Sequence, residues 1–367
     1  MVALSGRLAY ALSFSMSLLQ SLMIPVLVLY MLQLGYTEAE VGLVTGTASA
    51  VYIAGALLSS VLAGRLGDSK TILLSLASMA TGYALLSAST GLYAILLASG
   101  VVLLGFGVFW PAVENLVSSS GGKVSAFSFS WSSGSLAGML LVYPLSLLDP
   151  RALYAAFSAS SLLLALSVRR GEERARARAT FGDVLSSLYS LRASWVLCVA
   201  YSLSSSGLIT FYPVLVERAG LPRFMLSLAL FLMILSRTAV FFAYDALPAP
   251  LKRVEIAAPV LLASSLIPFV DNPFLHLPLS LIAGAGQGVI YGIALEGVFK
   301  SGSDRVHNYT ALFESFIGAG YSLGPLLAAL LGEYAGLQPL LSTSLLASLA
   351  ALLAGRKPRG SAPASRG

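Results

Sequence analysis

The chain has 367 residues, of which 57% are hydrophobic and only 10% are charged. A soluble domain carries roughly a quarter charged residues, so this composition excludes an ordinary soluble protein. The net charge of +6 would suggest a nucleic-acid partner in a soluble chain, but in a membrane protein it predicts basic loops against an anionic lipid surface. We therefore expect no nucleic-acid partner, and the single Cys198 excludes a disulfide framework within the chain.

Long apolar runs follow one another along the whole sequence. Many of them approach the roughly 20 residues that an α-helix needs to cross the hydrocarbon core of a bilayer. The first run follows Arg7 and is too long for the core of a signal peptide, so we expect it to be a retained helix. The sequence predicts an all-α polytopic membrane protein with 12 transmembrane helices, at 7–33, 41–63, 71–89, 91–117, 124–147, 151–167, 193–216, 224–246, 254–270, 274–299, 308–332 and 337–355.

A basic stretch, Val168–Arg192, lies near the midpoint of the chain and interrupts this pattern. Its clustered arginines, with Glu172 and Glu173 among them, indicate a partly helical amphipathic strip at the inner membrane surface. This stretch sets the predicted domain boundaries. They are an N-terminal six-helix bundle at 1–168, a basic cytoplasmic linker at 169–192, a C-terminal six-helix bundle at 193–355 and a disordered cytoplasmic tail at 356–367.

The distribution of Lys and Arg predicts the orientation. Of the 22 basic residues, all except Arg151, Arg218, Arg223 and Arg237 fall in one alternate set of loops or in the tail. Short cytoplasmic loops carry an excess of Lys and Arg, so this set is expected to lie inside the cell. We therefore expect a multi-pass protein of the cell membrane with both termini in the cytoplasm.

The two halves repeat short patterns at a nearly constant offset. Pro25–Val28 recurs at Pro213–Val216, and the glycines of the fifth run, Gly134 and Gly138, are echoed at Gly320–Pro325. Such echoes in the same order favour a parallel repeat of six helices plus six. This is the organisation of transporters whose two halves rock about a central site.

Two local motifs resemble the major facilitator superfamily. In the loop Ala63–Lys70, Arg65, Gly67 and Lys70 match the family pattern, although Gly64 stands at its acidic position. The segment Phe109–Glu114, followed by Phe129-Ser130-Trp131, is similar to small prokaryotic efflux-type permeases of the family. The resemblance covers the whole chain and implies a twelve-helix secondary transporter with a cavity lined by spans 1, 4, 7 and 10.

Polar and aromatic residues in those four spans are the expected substrate contacts. Two amides stand out, Gln20 and Gln287, because an amide group in a membrane needs hydrogen-bond partners. The other cavity candidates are largely aromatic. They are Trp110, Tyr201, Thr210, Tyr212 and Tyr291.

Two ionisable residues inside spans are candidates for coupling, because a charge at the centre of a membrane helix costs at least about 2.5 kcal/mol. Arg237, in span eight, is expected either to contact an anionic substrate group and tune proton binding by a nearby acid, or to form a structural ion pair. Glu314, about two turns into span eleven, is the expected proton carrier. Its alternative is a salt bridge to a loop residue such as Arg305.

A second group of charged residues is expected to form a latch at the inner gate. Glu114 and Glu296 lie near the ends of spans four and ten, where each is expected to meet the basic loop of its own half. The expected partner of Glu114 is Arg65, and that of Glu296 is Lys252 or Arg253. Gly67, Lys70 and Asp245 complete the predicted latch.

These features favour transport over catalysis. No cluster of His, Asp or Ser at one depth suggests an enzyme, and we expect no cofactor and no metal. The prediction is a monomeric secondary transporter that moves a small neutral or lipophilic solute by alternating access, with proton-coupled efflux as a hypothesis. Two alternatives stay open. One is an uptake permease or facilitator for a small organic anion that uses Arg237, and the other is a non-transporting receptor or scaffold.

Overall fold

Helices make up almost all of the structure, a computed structural model that describes residues 6–119, 123–168, 188–189, 191–300 and 306–355. These ranges contain twelve α-helices and no strand. The helices are α1 (Gly6–Gln33), α2 (Glu38–Leu66), α3 (Asp68–Ala88), α4 (Leu92–Ser119), α5 (Val124–Ser146), α6 (Pro150–Ser167), α7 (Arg192–Arg218), α8 (Phe224–Phe242), α9 (Val254–Val260), α10 (His276–Lys300), α11 (Val306–Ala335) and α12 (Pro339–Gly355).

The all-α fold class is confirmed, and each predicted span overlaps one of these helices, with differences in bounds at spans eight and nine. Eight described helices are long and apolar enough to cross a membrane; the number of spans and their orientation stay predictions. Positions 169–187 of the predicted linker, with its clustered arginines Arg169, Arg170, Arg174, Arg176 and Arg178, lie outside the described residues. So do Arg305 and the tail 356–367.

The ninth span differs from an ordinary α-helix. Helix α9 ends at Val260, and the chain continues as a 3₁₀ helix through Leu261–Phe269. Pro268 lacks an N–H donor. The hydroxyls of Ser264 and Ser265 donate to carbonyls three residues earlier, at 3.2 and 2.6 Å. These local bonds compete with the α-helical pattern and favour the tighter winding.

Helix packing repeats between the two halves. In the first half α1 packs on α5, α2 on α4, and α3 on both α4 and α6. Six helices later, α7 packs on α11, α8 on α10, and α9 with its 3₁₀ extension on both α10 and α12. These shared neighbours are what a parallel six-helix repeat predicts, although α7 also packs closely on α12 and α10, where the equivalent contacts of α1 with α6 and α4 are slight.

The halves meet along α2–α11, α5–α8 and α1–α7. Glycines permit the closest approach: a Cβ atom at Gly46 would lie 2.5 Å from Leu326 Cγ, and one at Gly42 would lie 2.7 Å from Ala329 Cβ. In the α5–α8 contact the Ser227 hydroxyl donates to the Leu140 carbonyl at 3.1 Å. In the predicted topology these contacts lie near the extracellular ends of the helices.

An ion pair also joins the halves at this end, with Arg218 Nη1 2.7 Å from Glu38 Oε1. Both side chains are partly exposed, at 52% and 31%, so solvent screening limits the pair to about 0.2–1 kcal/mol. The closure of this end therefore depends mainly on the packing of α2 against α11 and of α5 against α8.

Candidate functional site

A cavity of about 190 Å³ lies between the two halves. Its walls come from α1, α2, α4 and α5 of the first half and from α7, α8, α10 and α11 of the second. Six aromatic side chains and three charged side chains face it. They are Tyr52, Trp110, Trp131, Tyr201, Tyr291 and Tyr321, with Glu114, Arg237 and Glu314.

Arg237 supplies the positive charge of the cavity. Its side chain is 9% exposed, and its Nη1 donates to the Ser205 hydroxyl at 3.1 Å. Its guanidinium carbon lies 5.4 Å from the centroid of the Tyr201 ring, within the range of a cation–π contact. Among the described residues no carboxylate oxygen lies within 4 Å of Arg237. Hydroxyl groups and ring faces therefore surround this charge, whereas the expected alternative was a structural ion pair.

Two carboxyl groups line the same cavity, one from each half. Glu114 projects from α4 and Glu314 from α11. The Tyr52 hydroxyl, on α2, donates a hydrogen bond to Glu314 Oε2. The neighbouring Gly318 leaves room for the Tyr52 ring, because a Cβ atom there would lie 2.8 Å from Tyr52 Cδ1. This hydrogen bond is a direct polar link between the two halves.

The polar wall of the first half is held by hydrogen bonds between helices. Trp110 Nε1 donates to Gln20 Oε1 at 2.7 Å, and the hydroxyls of Ser17 and Ser135 are 2.8 Å apart. Because the indole N–H donates to the amide oxygen of Gln20, the NH₂ group of Gln20 can act as a donor towards the cavity. The cavity is lined by five of the predicted cavity residues and by the predicted proton carrier Glu314. The five are Gln20, Trp110, Tyr201, Arg237 and Tyr291.

Three predicted cavity residues lie elsewhere. Thr210 is buried in α7, where it is turned by about 100° from the cavity-lining Ile209. The Tyr212 hydroxyl lies 3.4 Å from His276 Nδ1 inside the second half. Gln287 is fully buried, and its Nε2 donates to Ser204 Oγ at 3.2 Å. None of the three lines the cavity, and the hydrogen bonds of Tyr212 and Gln287 stay within the second half.

The latch contact predicted between Glu114 and Arg65 is not made in this conformation, and the latch stays a prediction. Glu114 does not meet Arg65, because it is turned inward to the cavity while Arg65 is exposed at the end of α2. Lys70 is likewise exposed. Gly67 joins α2 to α3 with a φ of 85°, a left-handed conformation that favours glycine. Its described role is therefore to form the turn between these helices.

In the second half Tyr244 forms a hydrogen bond with Glu296, whose predicted partner was Lys252 or Arg253. The Tyr244 hydroxyl donates to Glu296 Oε2 at 2.9 Å. Lys252 Nζ lies 5.0 Å from the Tyr244 ring centroid and donates to the Asp245 carbonyl at 3.0 Å, whereas Arg253 Nε lies 3.7 Å from Glu255. Sequence reasoning missed Tyr244. In the sequence, the feature that accompanies this contact is Gly292, which leaves room for the Tyr244 ring: a Cβ atom there would lie 2.3 Å from it.

We expect Tyr244→Phe to lower the free energy of unfolding by about 1 kcal/mol, because one part-buried hydrogen bond is lost and the ring packing is kept. The measurement is the unfolding midpoint of the purified protein in detergent. Tyr334→Phe is the matched control, since this tyrosine is 82% exposed at the end of α11 and should leave the midpoint unchanged. Equal midpoints for Tyr244→Phe and wild type would contradict the proposed role of the bond.

Comparison with known proteins is consistent with this architecture. A mutant form of the nucleoside transporter NupG has a TM-score of 0.76 at 14% identity, covering 95% of this chain and 98% of that one. A bacterial homologue of the human lysosomal transporter Spinster, in an inward-facing and occupied conformation, has a TM-score of 0.72 at 15% identity, covering 95% of each chain. At these identities the likeness shows the fold alone.

Sequence comparison provides the family. A search of curated proteins finds no match. The model of the Major Facilitator Superfamily matches residues 9–305, which is most of the chain and spans both halves. With the twelve-helix fold and the cavity between the halves, this match shows that the chain belongs to the major facilitator superfamily.

Proposed function

We propose that this protein is a proton-coupled secondary transporter that moves a small organic solute across the cell membrane by alternating access. The observation that carries the proposal is the pair of carboxyl groups, Glu114 and Glu314, which come from opposite halves and line one cavity. Acidic residues inside membrane-spanning helices are costly and therefore rare. Where they occur in transporters, they mark proton pathways.

The Tyr52–Glu314 hydrogen bond suggests how proton binding is linked to movement. When α2 and α11 separate at this depth, Glu314 loses its donor. A hydrogen bond donated to a carboxylate stabilises its ionised form, so loss of the Tyr52 donor shifts Glu314 towards its protonated form. Separation of the halves therefore favours the protonated acid, and closure favours the ionised acid bonded to Tyr52.

Two candidates differ in the direction of transport and in the charge of the solute. The resemblance to efflux-type permeases supports export of a neutral or lipophilic solute, which the aromatic walls would accept. The buried cation Arg237 specifically favours a second candidate, a permease or facilitator for a small organic anion. Both candidates use the same cavity and differ in the charge of the solute.

Flux measurements on purified protein in liposomes test the proposal. Compounds that raise the unfolding temperature in a panel are selected first, and their movement is then followed under an imposed pH gradient. We expect accumulation against the solute gradient that a protonophore abolishes. Downhill movement that ignores the pH gradient would indicate a facilitator, and binding without movement would indicate a receptor or scaffold.

A further inference from the structure

We propose that the solute is a single-ring organic monoanion, of the class of the aromatic carboxylates, whose anionic group binds Arg237. This inference rests on the proposed transport function and specifies its substrate class. Three features of the cavity carry it: a buried cation without an acidic partner, a volume that holds one ring, and walls that are mainly aromatic and aliphatic.

The first feature is the environment of Arg237. Arg237 is only 9% exposed, and it lines the cavity. Ser205 and the Tyr201 ring hold the guanidinium in place, but neither carries a formal negative charge. A buried cation is stabilised when an anion pairs with it, and a guanidinium fork matches a carboxylate through two parallel hydrogen bonds. The carboxyl groups of the cavity do not fill this role, because neither Glu114 nor Glu314 lies within 4 Å of Arg237.

The second feature is the size of the cavity. Its volume of about 190 Å³ exceeds the roughly 150 Å³ of an engineered apolar cavity that holds benzene. It is smaller than the roughly 300–1,000 Å³ of pockets for drug-sized ligands. One six-membered ring with a carboxylate fits a cavity of this size.

The third feature is the chemistry of the walls. Trp110 and Trp131 from the first half, and Tyr201 and Tyr291 from the second, provide ring surfaces. Tyr201 and Tyr291 pack edge to face with their centroids 5.1 Å apart, so each ring supports the other on that side. Between the rings, aliphatic side chains such as Ile209 and Ile234 exclude water. A planar ring gains from burial against such walls, and its carboxylate gains from Arg237.

A matched pair of ligands separates the charge from the shape. Benzoate and benzamide have nearly the same size and ring, but only benzoate is an anion. Binding is measured on the purified full-length protein by equilibrium dialysis with labelled ligand and by the shift in unfolding temperature. We expect benzoate to bind at least about tenfold more tightly than benzamide.

Variants of Arg237 test the contact itself. Arg237→Gln is expected to weaken benzoate binding by about 30-fold or more, because the buried charge partner is lost, and to leave benzamide binding nearly unchanged. Arg237→Lys should retain part of the preference, since it keeps the charge without the planar fork. The control is Arg218→Gln, which removes an arginine from the exposed ion pair with Glu38 and should change neither affinity.

Three outcomes would overturn the inference: equal binding of benzoate and benzamide, no binding of either, or benzoate binding that is unchanged in Arg237→Gln. If Arg237→Gln does not fold, the comparison of the two ligands on the wild-type protein still decides. Benzoate binding without proton-linked flux would contradict the transport function alone. Proton-linked flux that is indifferent to solute charge would contradict the substrate class alone.

Discussion

Glu314→Gln is expected to abolish proton-driven accumulation of the solute while leaving its binding largely intact. Glutamine keeps the size of the side chain and still accepts a hydrogen bond from Tyr52, but it cannot bind and release a proton. The halves can then still close around the solute, although the cycle no longer responds to the pH gradient. The measurement is the accumulation in liposomes under an imposed gradient, which should fall to the level of downhill exchange.

Two further variants locate the effect. Glu333→Gln makes the same chemical change at an exposed position of the same helix and should transport like wild type. Tyr52→Phe removes the donor to Glu314, and hydrogen bonds to charged groups contribute about 1.5–3 kcal/mol. Tyr52→Phe should therefore favour the state in which α2 and α11 are separated at the level of Glu314. Uphill transport by Glu314→Gln would show that another group, with Glu114 the first to test, carries the proton.

Gly46→Leu is expected to slow transport in a folded protein by favouring an open state of the predicted outer end. Even a Cβ atom at Gly46 would lie 2.5 Å from Leu326 Cγ and 2.8 Å from the Ser322 carbonyl oxygen. Overpacking of this kind costs about 1–3 kcal/mol, and separation of the halves relieves it. The closed arrangement described above would therefore lose population, and transport should fall by about tenfold, the factor that 1.4 kcal/mol within this range represents.

Accessibility of the α2–α11 contact reports on this opening. Ser322 is 5% exposed, so Ser322→Cys should react slowly with a membrane-impermeant thiol reagent in the wild-type background and rapidly beside Gly46→Leu. Gly64→Leu is the matched control on the same helix, because a Cβ atom there meets nothing within 4 Å. Normal transport by Gly46→Leu would mean that the halves need not close here.

The positions of the helices could be predicted because long apolar runs and short polar breaks are strong signals. Their winding could not: the prediction extended span eight to residue 246, whereas α8 ends at Phe242 and Tyr244–Ala246 forms a separate 3₁₀ turn. The 3₁₀ segment Leu261–Phe269 was also missed. In both places the outcome depends on hydrogen bonds and packing that hydropathy does not contain.

The cavity was predicted less completely, because a helix that is apolar on all sides does not show which face points inward. Gln20 was found because an amide in a membrane needs partners, and Trp110 because it is an aromatic residue of span four; here the two bond each other. The same reasoning placed Gln287 at the cavity, but its partner Ser204 lies within the second half. Glu114 was assigned to the gate from its distance along α4, although its direction around the helix decides its role.

The 3₁₀ segment has a consequence for length. Val254–Val260 and Leu261–Phe269 contain 7 and 9 residues. A 3₁₀ helix rises about 2.0 Å per residue and an α-helix about 1.5 Å. Together the two segments therefore reach about 28 Å, whereas the same residues in a continuous α-helix would reach only about 24 Å. The hydrocarbon core is about 30 Å thick, so the tighter winding lets a short stretch of chain come close to matching the thickness of the bilayer.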